Sequence, residues 1–325
     1  MNGPMRFGAP TEVAEGIFCI PTDYPEVADA PLWMHLLRGS SSTGGRSSML
    51  IDSGVPSTYD AVLADAFPRI GVDPREICWL VLTHGHPDHM GGHPGLRPHA
   101  SFSVAAPLED VIWVESVERQ WHDFWDRFPG TLPVEGIRDG QIAMCGGDLP
   151  VDRILRDGEV FESGARSLRV VRTRGHTRGH CAYLEERTGV LFSGDAVQGH
   201  GIAASSGTSV FAPLYDDVED CLEGLERLRA LPFSLLCGAH FAPLEREAGL
   251  ALLDDSIAFV HETDALVRRM LADARAPVSV PEVAAAIGKV AGTSPPVAMQ
   301  TIYTATAHLQ HAARAGLAEP RWVAP

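Results

Sequence analysis

No stretch of this chain approaches the run of about 20 apolar residues that a membrane-spanning helix requires. Met1 to Glu15 has neither the basic start nor the apolar core of a secretory leader. The six cysteines are scattered and contain no CxxC pair, which argues against a disulfide framework and against a cysteine-rich zinc cluster. Cys19, Cys78 and Cys237 lie in apolar runs, where cysteine acts as a small buried hydrophobe. Positive charge is also scarce. There are 26 basic against 42 acidic side chains, a formal net charge of -16, and no run of lysines. Phosphate backbones and anionic membrane surfaces both need cations to hold them, so nucleic acid and membrane are disfavoured as partners. The expectation is a soluble cytoplasmic protein with a small-molecule substrate.

What the chain does have is enough apolar material for a large core, 45% of its 325 residues. Short β-like runs come first, at 16–21, 32–38 and 48–52, followed by a helical stretch at 60–70. Further strands are expected at 77–82, 100–105, 168–173, 181–185, 190–193 and 233–237. The segment 218–228 has the spacing of a helix with one buried face. Beyond about residue 247 the pattern becomes helical. A long helix carries Leu253, Ile257, Val260, Val267 and Leu271 on one side, a second opens at Val280-Pro281-Glu282, and a third runs from Pro296 to Ala315 with Gly316 as its cap. With Leu317 to Val323 as a hairpin or tail, this end has the look of a winged helix. The division is 1–246 for a catalytic domain and 247–325 for a small helical, winged-helix-like domain.

The densest chemistry follows the 77–82 run. His84, His86, Asp88 and His89 lie within six residues, a density of imidazole and carboxylate suited to a divalent metal such as Zn2+. His84 and His86 can reach one ion, and Asp88 and His89 a second. His176 and His180 follow the next strand, Asp195 another, and His240 a third, so the ligand types gather at the ends of successive strands. Asp52 also ends a strand and can orient a ligand from behind.

This order, an HxHxDH cluster, a GHTxGH turn, a Gly-Asp and a late histidine, resembles the metallo-β-lactamase-fold hydrolase superfamily and its glyoxalase II-like branch, across about residues 12 to 245. The resemblance implies an α/β fold, an αββα sandwich of two mixed sheets. It implies that His84, His86 and His176 bind one ion, that Asp88, His89 and His240 bind another, and that Asp195 bridges them, with His180 outside the ligand set. The cofactors would be two divalent ions, Zn2+ first, with iron or manganese also accepted by such a set. Water made nucleophilic between them would attack an ester, thioester or lactone carbonyl, with Asp88 steering it and relaying a proton. Asp88 and Asp195 are therefore the catalytic candidates. The same fold also serves nucleases, or phosphodiesterases, and mononuclear iron sulfur dioxygenases, which stand as alternatives.

The chain departs from the family pattern at Arg174 and Arg178, where prolines are usual, and at Ala239-His240-Phe241. Arg178 is the candidate for a substrate carboxylate, and His200 and Phe241 are candidate substrate contacts near the metal edge. Trp113, Trp121, Phe124 and Trp125 have helical spacing and serve either as core or as a cap over the cleft. The 247–325 module carries six basic against eight acidic side chains, a net of -2, so it is expected to pack on the catalytic domain or to form a homodimer contact rather than to read DNA.

Overall fold

The computed structural model describes residues 8–24, 30–39, 47–128, 135–204 and 207–317. The stretch 318–323 of the expected hairpin or tail lies outside the described residues.

The first sheet has seven strands in chain order: β1 Thr11–Ala14, β2 Ile17–Tyr24, β3 Ala30–Leu37, β4 Ser48–Ile51, β5 Ile77–Val81, β6 Ser103–Pro107 and β7 Arg153–Leu155. Strands β1 to β4 pair antiparallel, and β4 to β7 run parallel. The second sheet contains β8 Val160–Ser163, β9 Arg166–Arg172, β10 Cys181–Glu185, β11 Val190–Gly194, β14 Leu235–Gly238 and β15 Leu244–Glu245, in the order β15-β14-β11-β10-β9-β8. A two-stranded ribbon, β12 Ile202–Ala203 with β13 Ser209–Phe211, stands apart.

Alternation along the strands stacks the sheets face to face. Met49, Ile51, Val81 and Ala105 of the first sheet meet Leu168, Val170, Tyr183, Val190 and Phe192 of the second in one buried cluster. Their neighbours Leu50, Leu80 and Val104 face outward, onto the helical turns across 59–69 and the helix His93–Leu96. On the far side Val171, Ala182, Leu184 and Leu191 pack against the helix Val218–Arg229 and the C-terminal helices. The layers are helix, sheet, sheet, helix, as the family resemblance implies.

The long helix Arg246–Asp273 starts directly after β15 and packs on β14 and on Val218–Arg229. Val280–Ala291 follows. Its Ser279 cap is reciprocated by Glu282, and Gly292, at φ 70°, ends it. The last helix is Met299–Arg314, starting later than the expected Pro296 because Ala298 is still extended and its N–H is taken by Thr301 Oγ1 at 2.9 Å. Residues 301–309 of this helix are buried on every side. Tyr303 stacks on Phe124 with ring centroids 4.8 Å apart and donates its hydroxyl to the Phe124 carbonyl at 2.9 Å. Thr304 Oγ1 donates to the Pro213 carbonyl at 2.7 Å, and the Tyr215 hydroxyl meets His308 Nε2 at 2.8 Å. The helical end and the sandwich share one apolar core. Among the described residues no helix is long and apolar enough to cross a membrane.

Candidate metal centre

Five loops bring chemistry to one edge of the sandwich. Asp52 follows β4, His84 and His86 follow β5, His176 follows β9, Asp195 follows β11 and His240 follows β14, while Asp88 and His89 sit in the short helix Pro87–Met90. Strands β4 and β5 are parallel, as are β11 and β14, so their C-terminal ends open on a common rim. Gly194 has φ 49°, and a Cβ there would lie 2.7 Å from His180 Nε2, so the turn that delivers Asp195 requires glycine.

The hydrogen bonds behind the site set which ring nitrogen faces inward. His176 Nδ1 donates to the Leu214 carbonyl at 3.0 Å and His240 Nδ1 to the Pro31 carbonyl at 2.7 Å. His89 Nδ1 donates to Asp52 Oδ2 at 2.8 Å. Thr83 donates its N–H and its hydroxyl to the two Asp52 oxygens, both at 2.8 Å, so its oxygen is left to accept from His84 Nδ1 at 3.1 Å. Each of these four histidines therefore turns Nε2 to the centre. His86 is the exception, and its Nδ1 lies 2.9 Å from His84 Nε2 and 3.0 Å from His176 Nε2. His180 Nε2 accepts the Asp195 N–H at 3.1 Å and its Nδ1 bonds Thr173 at 2.7 Å, which makes it a brace rather than a ligand.

Two sets of donors result, with Asp195 between them. The first is His84, His86 and His176, and the second is Asp88, His89 and His240. Asp195 Oδ2 is 3.1 Å from His240 Nε2 and 3.5 Å from His176 Nε2, and its Oδ1 is 3.4 Å from His89 Nε2. Asp88 Oδ2 is 3.5 Å from His240 Nε2.

The electrostatics of the two halves differ. Burial, reinforced by neighbouring histidines, holds His84 and His86 well below the ordinary imidazole range, and burial also lowers His176, so their lone pairs are available. Burial opposes the proton on His89 and His240 as well, but the surrounding carboxylates outweigh it. Asp88, Asp52 and Asp195 push His89 well up, and Asp195 and Asp88 push His240 to about 10. This half demands positive charge.

A divalent ion in each half fits these residues on three counts. Three neutral nitrogens converge at spacings close to the roughly 3.3 Å separation that a tetrahedral ion with 2.0–2.1 Å bonds imposes. His89 Nε2 and Asp195 Oδ1 are buried without a hydrogen-bond partner, an arrangement that a cation between them resolves. The carboxylates of the second half supply the negative charge that a cation neutralises. Asp52 stands behind this arrangement at φ 58°, a left-handed backbone uncommon for a residue other than glycine. Asp52→Ala is expected to weaken metal binding by about 10–100-fold, read by zinc competition against a chromophoric chelator. Wild-type affinity in that variant would reduce Asp52 to a folding role.

A cavity of about 300 Å3 opens over the site. Its floor includes His86, Asp88, His176, Asp195 and His240. Phe124 and Trp125, Ile202 and Phe211, and Met299 and Gln300 supply walls from three distant parts of the chain. The aromatic segment is thus core and cleft wall together, since Trp121 and Phe124 are buried while Phe124 and Trp125 also face the cavity.

The three expected substrate contacts are not brought to this cavity. Arg178 is largely exposed, its Nε 3.7 Å from Asp216 on the outer side of the loop. His200 is drawn away by Asp255 at 3.0 Å and Glu262 at 3.3 Å on the long helix. The Phe241 ring folds back over Gly238. Two side chains next to the site, Asp110 and Gln120, have no signature in the sequence, because a lone Asp or Gln in an irregular segment has no spacing to announce it.

A sandwich with this ligand order along one edge defines a class, and a sequence model described as the Metallo-beta-lactamase superfamily matches residues 35–240. The chain belongs to that superfamily. It is 29% identical over 231 residues to an acyl-coenzyme A thioesterase of Gallus gallus, covering 67% of this chain and 74% of that protein. It is 29% identical over 152 residues to a hydroxyacylglutathione hydrolase of Methylococcus capsulatus, covering 45% of this chain and 56% of that protein. The chain spans about half the length of the curated relatives it matches, 50% of one fungal lactamase-like protein. The crystal structure of a metallo-beta-lactamase family protein from Thermus thermophilus superposes with a TM-score of 0.71 at 22% identity, covering 95% of this chain and 98% of that one, a likeness of fold.

Proposed function

We propose that this chain is a metal-dependent hydrolase that holds two divalent ions, Zn2+ first, and cleaves a small ester or thioester with an uncharged, apolar acyl group. One observation carries the reading: two donor sets flank Asp195, and His86, Asp88, His176, Asp195 and His240 of that cluster form the floor of a cavity whose walls are mainly apolar. When bound, the ions would make water nucleophilic at neutral pH and stabilise negative charge on the carbonyl oxygen.

The chain's own residues do the rest. His84, His86 and His176 hold one ion as neutral donors, Asp88, His89 and His240 hold the other, and Asp195 joins them. Asp88 lines the cavity and is placed to hold a proton on its carboxylate on the way to the leaving group. Gln141, Gln198 and Gln300 bring amides into the wall for hydrogen bonds to substrate. Among the described residues lining the cavity there is no lysine or arginine, which favours an uncharged acyl group over a phosphodiester. The thioesterase relative supports the same chemistry. The last helix, buried along 301–309 with its start in the cavity wall, serves better as part of the pocket than as a DNA-reading element.

The test is a panel of esters, thioesters, lactones, β-lactams and phosphodiesters on protein of measured metal content. Ester or thioester turnover is expected to dominate, and preferential phosphodiester cleavage would overturn the reading. Met299→Trp, which fills the cavity, is expected to lower kcat/KM for a long acyl chain relative to acetyl by on the order of tenfold.

A further inference from the structure

We propose that Asp110 is the positioning residue for the three-histidine half of the site, holding the loop that carries His84 and His86 in register with the loop that carries His176. The inference rests on the proposed metal-binding role of those histidines. The first loop leaves one sheet and the second leaves the other, so their alignment depends on contacts between them. Asp110 lies in neither loop. It comes from the turn Leu108–Asp110 that follows β6.

Its carboxylate receives three donors. Oδ2 accepts from the Gly85 N–H at 3.0 Å and from Thr177 Oγ1 at 2.6 Å, and Oδ1 accepts from the Gly179 N–H at 2.8 Å. Gly85 is the residue between His84 and His86, and Thr177 is the neighbour of His176. The Gly85 carbonyl is held as well, by the Gln120 amide, while Cys145 Sγ donates to Gln120 Oε1 at 2.8 Å. The backbone between the two histidines is therefore gripped on both sides of Gly85. Any rotation there would swing His86 Nδ1, which lies 3.0 Å from His176 Nε2 across the gap.

Asp110 is 1% exposed, where a carboxylate is costly unless its acceptors are filled. Burial raises its carboxyl to about 6, and the bonds from Thr177, Gly85 and Gly179 pull in the other direction. An apolar side chain of similar size would leave the Gly85 and Gly179 N–H groups and the Thr177 hydroxyl without this acceptor. What the carboxylate adds is direction, because donors from two loops must converge on one planar group. Gly179 makes room for it, since a Cβ there would lie 2.5 Å from Asp110 N and Oδ1. Asp52 supports His89 directly and reaches His84 only through Thr83, whereas Asp110 holds the backbone on both sides of the gap between His86 and His176.

Asp110→Asn keeps the shape but turns an amide NH2 toward a backbone N–H, and so breaks a tie. Thr177→Val removes one donor and leaves the carboxylate in place. Both variants would be made in the full chain. Zinc affinity and stoichiometry would be measured by chelator competition, and the visible spectrum would be recorded after Co2+ substitution. Asp110→Asn is expected to weaken one of the two ions by about 10–100-fold, to leave the other unchanged and to alter the Co2+ spectrum. Thr177→Val is expected to do the same to a smaller degree. Wild-type affinity for both ions with an unchanged spectrum, even with a lower Tm, would overturn the proposal and leave Asp110 a folding residue. If Asp110→Asn does not fold, Thr177→Val decides alone. A wild-type chain that takes up no metal would overturn the proposed function and this inference together, which separates the two failures.

Discussion

Asp195→Ala is expected to cut turnover of the best acyl substrate by on the order of 10^3-fold or more while leaving the fold in place. Its two oxygens lie within 3.1–3.5 Å of nitrogens from His240, His89 and His176, so one side chain serves both halves of the centre. Truncation would remove the proposed shared ligand and a negative charge from between His240, His89 and His176. His86→Ala should act in the same direction through the first half alone. Steady-state kinetics with circular dichroism and metal analysis would check both variants, and full activity with metal still bound would contradict the assignment.

Stripping the protein with a strong chelator should reduce activity to background, and added Zn2+ should restore it. Unchanged rates after complete metal removal would end the case for a metal-dependent hydrolase. The stripped chain should also be less stable, by roughly 4 kcal/mol against protein in free metal at a thousand times Kd. Its pH dependence should differ too. Without metal, His240 is raised from 6.5 to about 10, so the stability its proton contributes is complete below about 6.5 and is lost as pH rises through about 10. With metal bound the imidazole is already neutral, and that loss should vanish. Melting curves at pH 6 and pH 10, with and without metal, would show it.

The convergence of most of the candidate donors is legible in sequence because they follow an apolar run closely, and a strand end fixes where the next side chain falls. His84, His176, Asp195 and His240 are readable for that reason, and Asp52 almost so. The cavity wall is not. Phe124, Phe211 and Met299 meet only through the tertiary fold, and no local pattern joins them. Arg178 shows the limit of proximity in sequence, since two residues beyond His176 the loop has already turned outward toward Asp216. His200 misleads in the same way, because its partners, Asp255 and Glu262, come from a helix more than fifty residues on. Strands β7 and β8 leave little trace because they are short sheet edges with exposed, charged positions and little apolar signal. The helical end is readable by periodicity, and packing on the catalytic domain is one of the two expectations for it; the burial of 301–309 on every side is not readable, because Thr301, Thr304, Thr306 and His308 read as a polar surface.

Met299 and Gln300, at the start of the buried last helix, lie far along the chain from the metal ligands. Under the proposed function, selectivity and reactivity would reside in parts of the chain that can vary apart. Tyr303, stacked on Phe124, limits that independence. An exchanged tail would have to bring a matching aromatic segment with it, and inherited change in the two places should travel as a pair.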